Sequence, residues 1–154
     1  MISIEKMKKE YIDDVYEIDK LSVPIPWSKS SIEEEMNNML ASFLVAKEDE
    51  KIVGFAMCWF IMDECHIGNI AVHPDYRKKG IASRLLDELL KGCNEHGTSY
   101  LLLEVRSSNI NAQNLYKKYG FKELVVRKKY YKNPDGTYED AVIMDRDLKK
   151  VNEL

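Results

Sequence analysis

Residues 69–86 read Asn69-Ile70-Ala71-Val72-His73-Pro74-Asp75-Tyr76-Arg77-Lys78-Lys79-Gly80-Ile81-Ala82-Ser83-Arg84-Leu85-Leu86. The pattern predicts a buried strand, a turn marked by proline, a basic loop around one glycine, and then an amphipathic helix. The apolar face of that helix continues beyond the stretch with Leu89 and Leu90. The other predicted elements are arranged around this strand–loop–helix unit.

The start of this helix is unusual. Helices normally begin with a Ser, Thr, Asp or Asn cap and carry acidic residues in their first turn. Here Arg77, Lys78 and Lys79 precede Gly80, which has no capping side chain. Free amides, the positive end of the helix dipole and three cations meet at one place, which favours a bound phosphate or pyrophosphate. The alternative is a solvated basic helix start.

Composition limits the classes of protein that need to be considered. A chain of 154 residues with 45% hydrophobic and 32% charged residues fits one globular domain, residues 1–154. The net charge of −3 argues against a general nucleic-acid binder. Charges from Glu5 onward exclude a signal peptide, and the longest apolar run, 52–62, is too short to span a membrane. We therefore expect a cytoplasmic protein that does not bind membranes.

The cysteines predict reduced thiols and no metal site. Cys58, Cys65 and Cys93 are odd in number and lack the spacing of metal ligands. The pair Cys65-His66 resembles half of a metal site, but no second pair completes it.

The order of the predicted elements is β-α-α-β-β-β-α-β-α-β-β, which indicates a mixed α/β sheet. Ser28 or Ser30 is expected to cap the second helix, and Gly120 to end the last one. The predicted strands span residues 2–5, 41–47, 52–62, 65–72, 100–106, 121–131 and 138–144. The predicted helices span 8–21 and 109–119, with one that begins after Ser28 or Ser30 and one that follows Gly80 and ends near 96–97.

Two segments carry candidate catalytic residues. Alternation along the strand 100–106 puts Glu104 on one face with Leu102 and Arg106. Glu104 is therefore a candidate general base, or else one half of a structural pair with Arg106. In the next helix, Tyr116 is either a core aromatic or a proton donor, and Asn109 is either a helix cap or a cofactor ligand.

Read together, these segments resemble a known family. Arg77-x-x-Gly80-x-Ala82 is similar to the Arg/Gln-x-x-Gly-x-Gly/Ala signature with which the GCN5-related N-acetyltransferases (GNAT) hold the pyrophosphate of acetyl-CoA. The resemblance extends over nearly the whole chain, through Leu103-Glu104-Val105-Arg106-Ser107-Ser108-Asn109 and Ala112-x-x-Leu115-Tyr116-x-x-x-Gly120-Phe121.

A narrower resemblance concerns the ends of the chain. Pro26-Trp27-Ser28 and Arg127-x-x-Tyr130-Tyr131…Glu139-Asp140-Ala141-x-x-Met144 resemble the RimI-type members. Those enzymes acetylate the N-terminal alanine of a small-subunit ribosomal protein, the S-eighteen protein.

The resemblance implies the GNAT fold, a mostly antiparallel sheet with two splayed parallel strands and flanking helices. It implies acetyl-CoA as co-substrate, an N-terminal protein peptide as acceptor, Glu104 as general base and Tyr116 as general acid. The implied cofactor contacts are Ile70, Ala71, Val72, Arg77, Lys78, Lys79, Gly80, Ile81, Ala82 and Asn109. The chain departs from the family at Ala82, where a second glycine is frequent, and at Gly68, where a larger residue is common; Gly68 is expected to widen the peptide groove.

The sequence indicates the acetyl acceptor less clearly than the acetyl donor. Trp27, Tyr130, Tyr131 and Tyr138 either shape the peptide groove or only pack the sheet and hairpin. The acidic clusters 33–35 and 139–140 either attract a basic peptide or are solvated faces. A lysine side chain, a polyamine or another small amine is the alternative acceptor, and a non-catalytic acetyl-CoA-binding module is the alternative class.

Overall fold

The computed structural model describes residues 1–148, and the last six residues of the predicted domain, 149–154, lie outside the described residues. All the predicted strands and helices are present, and the predicted fold class is confirmed. The strands are β1 (Ile2–Lys6), β2 (Ala41–Glu48), β3 (Lys51–Ile61), β4 (Glu64–Val72), β5 (Tyr100–Arg106), β6 (Lys122–Lys132) and β7 (Tyr138–Asp147). The helices are α1 (Ile12–Ser22), α2 (Lys29–Met36), α3 (Ile81–Glu95) and α4 (Ile110–Lys118), with short 3₁₀ turns at Lys9–Tyr11 and Pro74–Tyr76.

The strands form one seven-stranded sheet in the order β1-β2-β3-β4-β5-β7-β6. Neighbouring strands are antiparallel except β4 and β5, which are parallel. These two pair only from Glu64 opposite Tyr100 to Ile67 opposite Leu103. Since both strands continue beyond the last pair, the sheet opens between their carboxyl-terminal halves.

A β-bulge lies at the point where the two parallel strands part. Ala56 of β3 pairs with Ile70, whereas Cys58 pairs with Ile67, so two residues of β4, Gly68 and Asn69, oppose the single residue between them on β3. Bulges bend a strand and interrupt its ladder, and they are frequent beside active sites. The sequence pattern did not predict this bulge, because alternation shows that a strand exists but not its register.

The helices cover the two faces of the sheet with separate cores. On one face, α3 and α4 bury a cluster that includes Leu85, Leu86, Leu89 and Tyr116. On the other face, α1 and α2 pack Val15, Ile18 and Ile32 against Phe43, Val45, Phe55 and Met57. The strand β3 contributes to both cores, as its apolar residues on both faces predicted.

Helix ends follow the expected chemistry. Ser28 rather than Ser30 caps α2, accepting a hydrogen bond from the Ser31 amide at 3.1 Å. Gly97 follows the end of α3 and Gly120 follows the end of α4, both with positive φ. The helices α3 and α4 are therefore each terminated by a glycine in the left-handed conformation.

The thiols of Cys58, Cys65 and Cys93 are free and buried where α3 packs on β3 and β4. Among residues 1–148, no group of three or more His, Cys, Asp or Glu side chains is arranged to hold a metal ion. None of the helices in this part of the chain has the length and apolar character needed to cross a membrane.

The position of α3 depends on a close approach at Gly54 of β3. A Cβ atom at Gly54 would lie 3.0 Å from the carbonyl oxygen of Ala71 and 3.3 Å from Cδ1 of Leu85. A larger residue would therefore displace α3 or β4. The absence of a side chain at this position keeps α3 against the sheet, and with it the loop that precedes α3.

We predict that Gly54→Val lowers the free energy of unfolding by about 1–3 kcal/mol, because the added side chain overpacks the contact between β3 and α3. Gly92→Val is the matched control, since no described atom lies within 4 Å of a Cβ at Gly92. It should change the free energy of unfolding by less than about 0.5 kcal/mol. Urea denaturation measures both, and equal stability of the two variants would contradict the close-approach argument.

Candidate active site

A cleft of about 1030 Å³ opens where β4 and β5 part. This volume is comparable to that of ligand pockets, which span roughly 300–1,000 Å³. The N-terminus of α3, the helix α4 and the β6–β7 hairpin complete its walls. Of the predicted site residues, twelve line it: Ile70, Ala71, Val72, Arg77, Lys78, Gly80, Ile81, Ala82, Glu104, Asn109, Tyr116 and Tyr131.

One end of the cleft is the N-terminus of α3. Gly80 occupies the N-cap position with φ +76° and contributes no capping side chain. Lys78 is also in the left-handed region, with φ +63°. The first amides of a helix have no acceptor within the helix, and they carry the positive end of its dipole. These amides lie beside Arg77 and Lys78 in the cleft wall, so this end suits an anion.

The three cations of the loop are not equivalent. Nε of Arg77 donates to the carbonyl oxygen of Val72 at 3.3 Å, which ties the loop to the end of β4. Lys78 lines the cleft. Lys79 does not: its Nζ lies 5.0 Å from the centre of the Tyr76 ring, on which Lys51 also rests at 5.2 Å. The structure therefore brings Arg77 and Lys78 to the anion end and turns Lys79 away from the cleft.

The middle of the cleft is the free edge of β4. Among the described residues, β4 has no pairing with β5 after Ile67. The register that bonds the His73 amide to Val53 turns the backbone groups of Ala71 toward Phe55 on β3 and those of Ile70 and Val72 toward the cleft. The Val72 carbonyl already accepts Nε of Arg77, so the groups of Ile70 and the Val72 amide are the ones that the sheet leaves unused. An extended ligand with amide groups can pair with such an edge as another strand would.

Glu104 stands at the other end of the cleft, on β5. Its side chain is 36% exposed, and its nearest cation is Arg127, with Nη1 4.0 Å from Oε1. The phenol of Tyr130 lies near this carboxylate, and the interaction with Glu104, ahead of burial, raises the pKa of Tyr130. The carboxylate is thus accessible to solvent and to a ligand from the cleft.

The structural pair between Glu104 and Arg106 is absent, so that alternative is wrong. Nη1 of Arg106 instead donates to Glu139 and to Asn133, each at 3.0 Å. Its guanidinium also lies 4.6 Å from the centre of the Tyr131 ring. The β6–β7 hairpin supplies these partners, and because they bind Arg106, Glu104 is left free of it.

Tyr116 belongs both to the core and to the cleft. Its side chain is only 6% exposed and packs edge-on against Phe121, with ring centres 5.7 Å apart. Burial is the main cause that raises its pKa far above the ordinary value, and the charge of a deprotonated Tyr131 would raise it further. The phenol is therefore protonated at neutral pH, which is the state that a proton donor requires.

Asn109 is the N-cap of α4. Its Oδ1 accepts the Ala112 amide at 3.1 Å, and the residue also lines the cleft. The helix-cap interpretation is confirmed, and the position remains compatible with a cofactor contact.

A smaller groove of about 270 Å³ adjoins the cleft at Glu104 and Tyr131. Its walls include Trp27, Trp59, His66, Gly68 and Leu102. Of the residues predicted to shape a peptide groove, Trp27 and Tyr131 line it. Tyr130 lies beside it against Glu104, and Tyr138 pairs with Lys132 in the hairpin and is 53% exposed.

The predicted widening at Gly68 is wrong. A Cβ atom at Gly68 would lie 2.7 and 2.8 Å from two ring atoms of Trp59. The space that a side chain at this position would use is therefore occupied by the indole of Trp59, so the glycine accommodates a ring rather than opening the groove.

The acidic pair 139–140 is not simply a solvated face, whereas Glu33 and Glu34 of the cluster 33–35 are exposed. Glu139 accepts hydrogen bonds from Arg106 at 3.0 Å and from the Ser108 amide at 2.7 Å. Although burial opposes it, hydrogen bonds from Ser108 and the charge of Arg106 lower the pKa of Glu139. Asp140 accepts the Lys129 amide at 3.0 Å and so holds the irregular part of β6.

The sequence analysis missed Asp19, which is 1% exposed and lines the cleft. Its carboxylate accepts the Trp27 amide at 2.8 Å and Nδ2 of Asn69 at 3.3 Å, so it connects α1 to the bulge of β4. Burial raises the pKa of Asp19. A signal was present in the sequence, because Asp19 shares the inward helical spacing of Val15, Ile18 and Ser22.

The fold and this site together are those of an acetyl-transferring enzyme, and comparison with known proteins agrees. Residues 12–121 match the model of the acetyltransferase (GNAT) family, and the chain belongs to that family. It is an acetyl-CoA-dependent N-acetyltransferase, as the sequence analysis predicted.

Relatives of known name are similar over most of their length. A ribosomal protein bS18-alanine N-acetyltransferase of Haemophilus ducreyi is 39% identical over 143 residues, covering 92% of this chain and 97% of that protein. The enzyme of the same name from Haemophilus influenzae is 40% identical over 132 residues, covering 84% and 88%. The crystal structure of the ribosomal-protein-S18-alanine N-acetyltransferase from Escherichia coli superimposes with a TM-score of 0.87 at 32% identity, covering 96% of this chain and 94% of that one. The RimI-type resemblance is thereby confirmed.

We predict that Gly80→Val weakens acetyl-CoA binding by at least about tenfold, because a β-branched residue at φ +76° strains the backbone and turns the first amides of α3 away from an anion. Arg77→Ala should weaken binding less, since backbone amides remain in place. Gly97→Val is the matched control, with φ +73° at the opposite end of α3. Calorimetric titration measures the three affinities, and equal losses at Gly80 and Gly97 would overturn the assignment of the anion site.

Proposed function

We propose that this enzyme acetylates the N-terminal α-amine of a protein, and that its acceptor is the N-terminal alanine of ribosomal protein bS18. The observation that carries the proposal is the groove that adjoins the cleft at Glu104. The α-amine of a peptide N-terminus placed in this groove would lie near the carboxylate of Glu104, at the end of the cleft. The relatives named for this activity, which match most of the chain, support the same acceptor. A cytoplasmic location belongs to this proposal.

The arrangement of the cleft supports one orientation of acetyl-CoA. Its pyrophosphate would bind the amides of Gly80, Ile81 and Ala82, with Arg77 and Lys78 beside it and Lys79 adding charge at longer range. Its amide-containing arm would pair with the free edge of β4 at 70–72, and Asn109 would contact it from the start of α4. This orientation brings the thioester toward Glu104 and Tyr116.

Acetyl transfer needs a neutral amine and a proton for the departing thiolate. An α-amine has a pKa of about 8, so roughly a tenth of it is neutral at pH 7, whereas a lysine amine has a pKa of about 10.4. In the proposal, Glu104 takes the amine proton, directly or through a water at its exposed side. The neutral amine attacks the thioester carbonyl, and the nitrogen then loses its second proton to water. The carbon–sulphur bond breaks, Tyr116 protonates the thiolate, and the resulting phenolate regains a proton from solvent.

The peptide would lie across the groove between Trp27 and Tyr131, with Tyr130 beside Glu104. Burial, followed by the charge of Glu104, raises the pKa of Tyr131 to about 12. Its hydroxyl is therefore a neutral donor that a peptide carbonyl can use. Tyr138 lies outside both the cleft and the groove, so the proposal assigns it no contact with the first residues of the acceptor.

We predict that Tyr116→Phe lowers kcat by about a hundredfold or more while acetyl-CoA affinity is retained, because the ring still packs and only the proton is removed. Tyr119→Phe is the matched control on the same helix. It loses hydrogen bonds from its hydroxyl to Asp87 at 2.7 Å and to the Ser83 carbonyl at 3.0 Å, while Tyr119 itself does not line the cleft. Parental turnover in Tyr116→Phe would leave Tyr116 as a core aromatic.

We predict that Glu104→Gln reduces the rate at neutral pH and recovers part of it at high pH, where the amine loses its proton without a base. Glu88→Gln, on the exposed face of α3, should follow the parent at every pH. The measurement is a pH–rate profile with a peptide that begins with Ala. If Glu104→Gln runs parallel to the parent profile, Glu104 positions the amine and does not deprotonate it.

The acceptor is tested with the same assay. Peptides with a free N-terminal Ala should be much better substrates than peptides with a blocked N-terminus and one Lys. Preference for the blocked Lys peptide would reject the α-amine proposal in favour of a side-chain amine.

A further inference from the structure

Trp59 is the wall that limits the acceptor groove on the side of β3 and β4. It lies on β3 opposite His66, and its side chain is partly buried on the face of the sheet that α1 and α2 cover. Its six-membered ring lies over Gly68, where a Cβ would approach ring atoms to 2.7 Å. Because a side chain at position 68 would collide with the ring, this placement requires glycine there.

Glu35 holds the other end of the indole. Nε1 of Trp59 donates to Oε2 of Glu35 at 2.6 Å, and Nδ2 of Asn38 donates to the same oxygen at 3.3 Å. Glu35 is in the last turn of α2, so its hydrogen bond connects that helix to Trp59 in the groove wall. The ring is therefore fixed at two points, by contact with Gly68 and by the hydrogen bond to Glu35.

The groove that this ring borders is small, about 270 Å³, and its walls combine aromatic and aliphatic side chains with polar ones. Trp27 and Tyr131 add two further rings, and Leu102 lies in the lining between them and Glu104. An acceptor whose amine reaches Glu104 must place its first side chain in this groove. The fixed ring of Trp59 then limits how large that side chain can be.

We propose that Trp59 determines the specificity of the enzyme for a small first residue, and that Glu35 is the positioning residue that holds it. The inference rests on the proposed function, because it assumes that a peptide N-terminus occupies the groove. If the ring is removed, Gly68 supplies no side chain to replace it. The groove then enlarges toward Met57, whose Cγ lies 3.2 Å from the Cβ position of residue 68.

The test compares two peptides that differ only in the first residue, Ala or Leu. For Trp59→Ala, the ratio of kcat/KM for the Leu peptide to that for the Ala peptide should rise by about tenfold or more, the range expected when a hydrophobic pocket changes size. Phe60→Ala is the matched control. It removes a ring from the next residue of β3, on the opposite face, where Phe60 stacks on His96 at 3.9 Å. The ratio for Phe60→Ala should equal the parental ratio.

Glu35 is tested in the same assay. Glu35→Ala frees the indole and should raise the ratio in the same direction but less than Trp59→Ala. Glu35→Gln retains an oxygen acceptor and should restore the parental ratio. A purely structural role of Glu35 would lower activity with both peptides equally and leave the ratio unchanged.

The outcomes separate this inference from the proposed function. If the parent acetylates neither free N-terminus, the proposed function fails. If the parent acetylates the Ala peptide but Trp59→Ala keeps the parental ratio, Trp59 does not set the size limit and the inference fails alone. Should Trp59→Ala not fold, Trp59→Phe must still raise the ratio, because a smaller ring enlarges the groove, and an unchanged ratio in that variant overturns the proposal.

Discussion

The separation of two parallel strands is the constraint on which the rest of this structure depends. β4 and β5 pair from Glu64 to Ile67 and then part, at the place where Gly68 and Asn69 form a bulge against β3. A sheet that stayed closed would offer no free backbone edge and no cleft. The parting leaves the backbone groups of Ile70 and the amide of Val72 without a partner in the sheet. The buried carboxylate of Asp19 accepts a hydrogen bond from Nδ2 of Asn69 and so holds the bent segment in place. The proposed cofactor site is thus a gap in the sheet.

The second constraint is the position of the α3 N-terminus at the end of that gap. Gly54 permits α3 to lie close to the sheet, and Gly80 begins the helix in a conformation that L side chains adopt rarely. Both glycines therefore position the N-terminus of α3. Gly54 does so by allowing close packing, and Gly80 by adopting a backbone conformation with positive φ. Together they aim unpaired amides at a place where an anion can reach them.

The acceptor side is built from a different set of elements than the cofactor side. The groove takes Trp27 from the segment before α2, Trp59 from β3 and Tyr131 from the β6–β7 hairpin. The hairpin also keeps Arg106 from pairing with Glu104, because Glu139 and Tyr131 contact the guanidinium. Glu104 therefore meets a ligand as a free carboxylate, with Arg127 and Tyr130 nearby. The cleft and the groove share only Gly68, Asn69, Glu104 and Tyr131 among the described residues that line them.

The sequence by itself determined the elements and the family, because these follow from short-range patterns such as helical spacing in 81–95 and alternation in 100–106. From one glycine within a basic loop it also predicted an anion site, which stays a prediction. It also placed Glu104 and Tyr116 as candidates, though their catalytic roles stay predictions. Only the tertiary structure decided which residues meet. In the structure, Lys79 lies against Tyr76 and does not line the cleft, and Arg106 pairs with Glu139 rather than with Glu104. The ring of Trp59 occupies the space beside Gly68. The physical reason is that strand register, bulges and contacts between distant segments depend on how whole faces pack, and no local pattern in the chain encodes that choice.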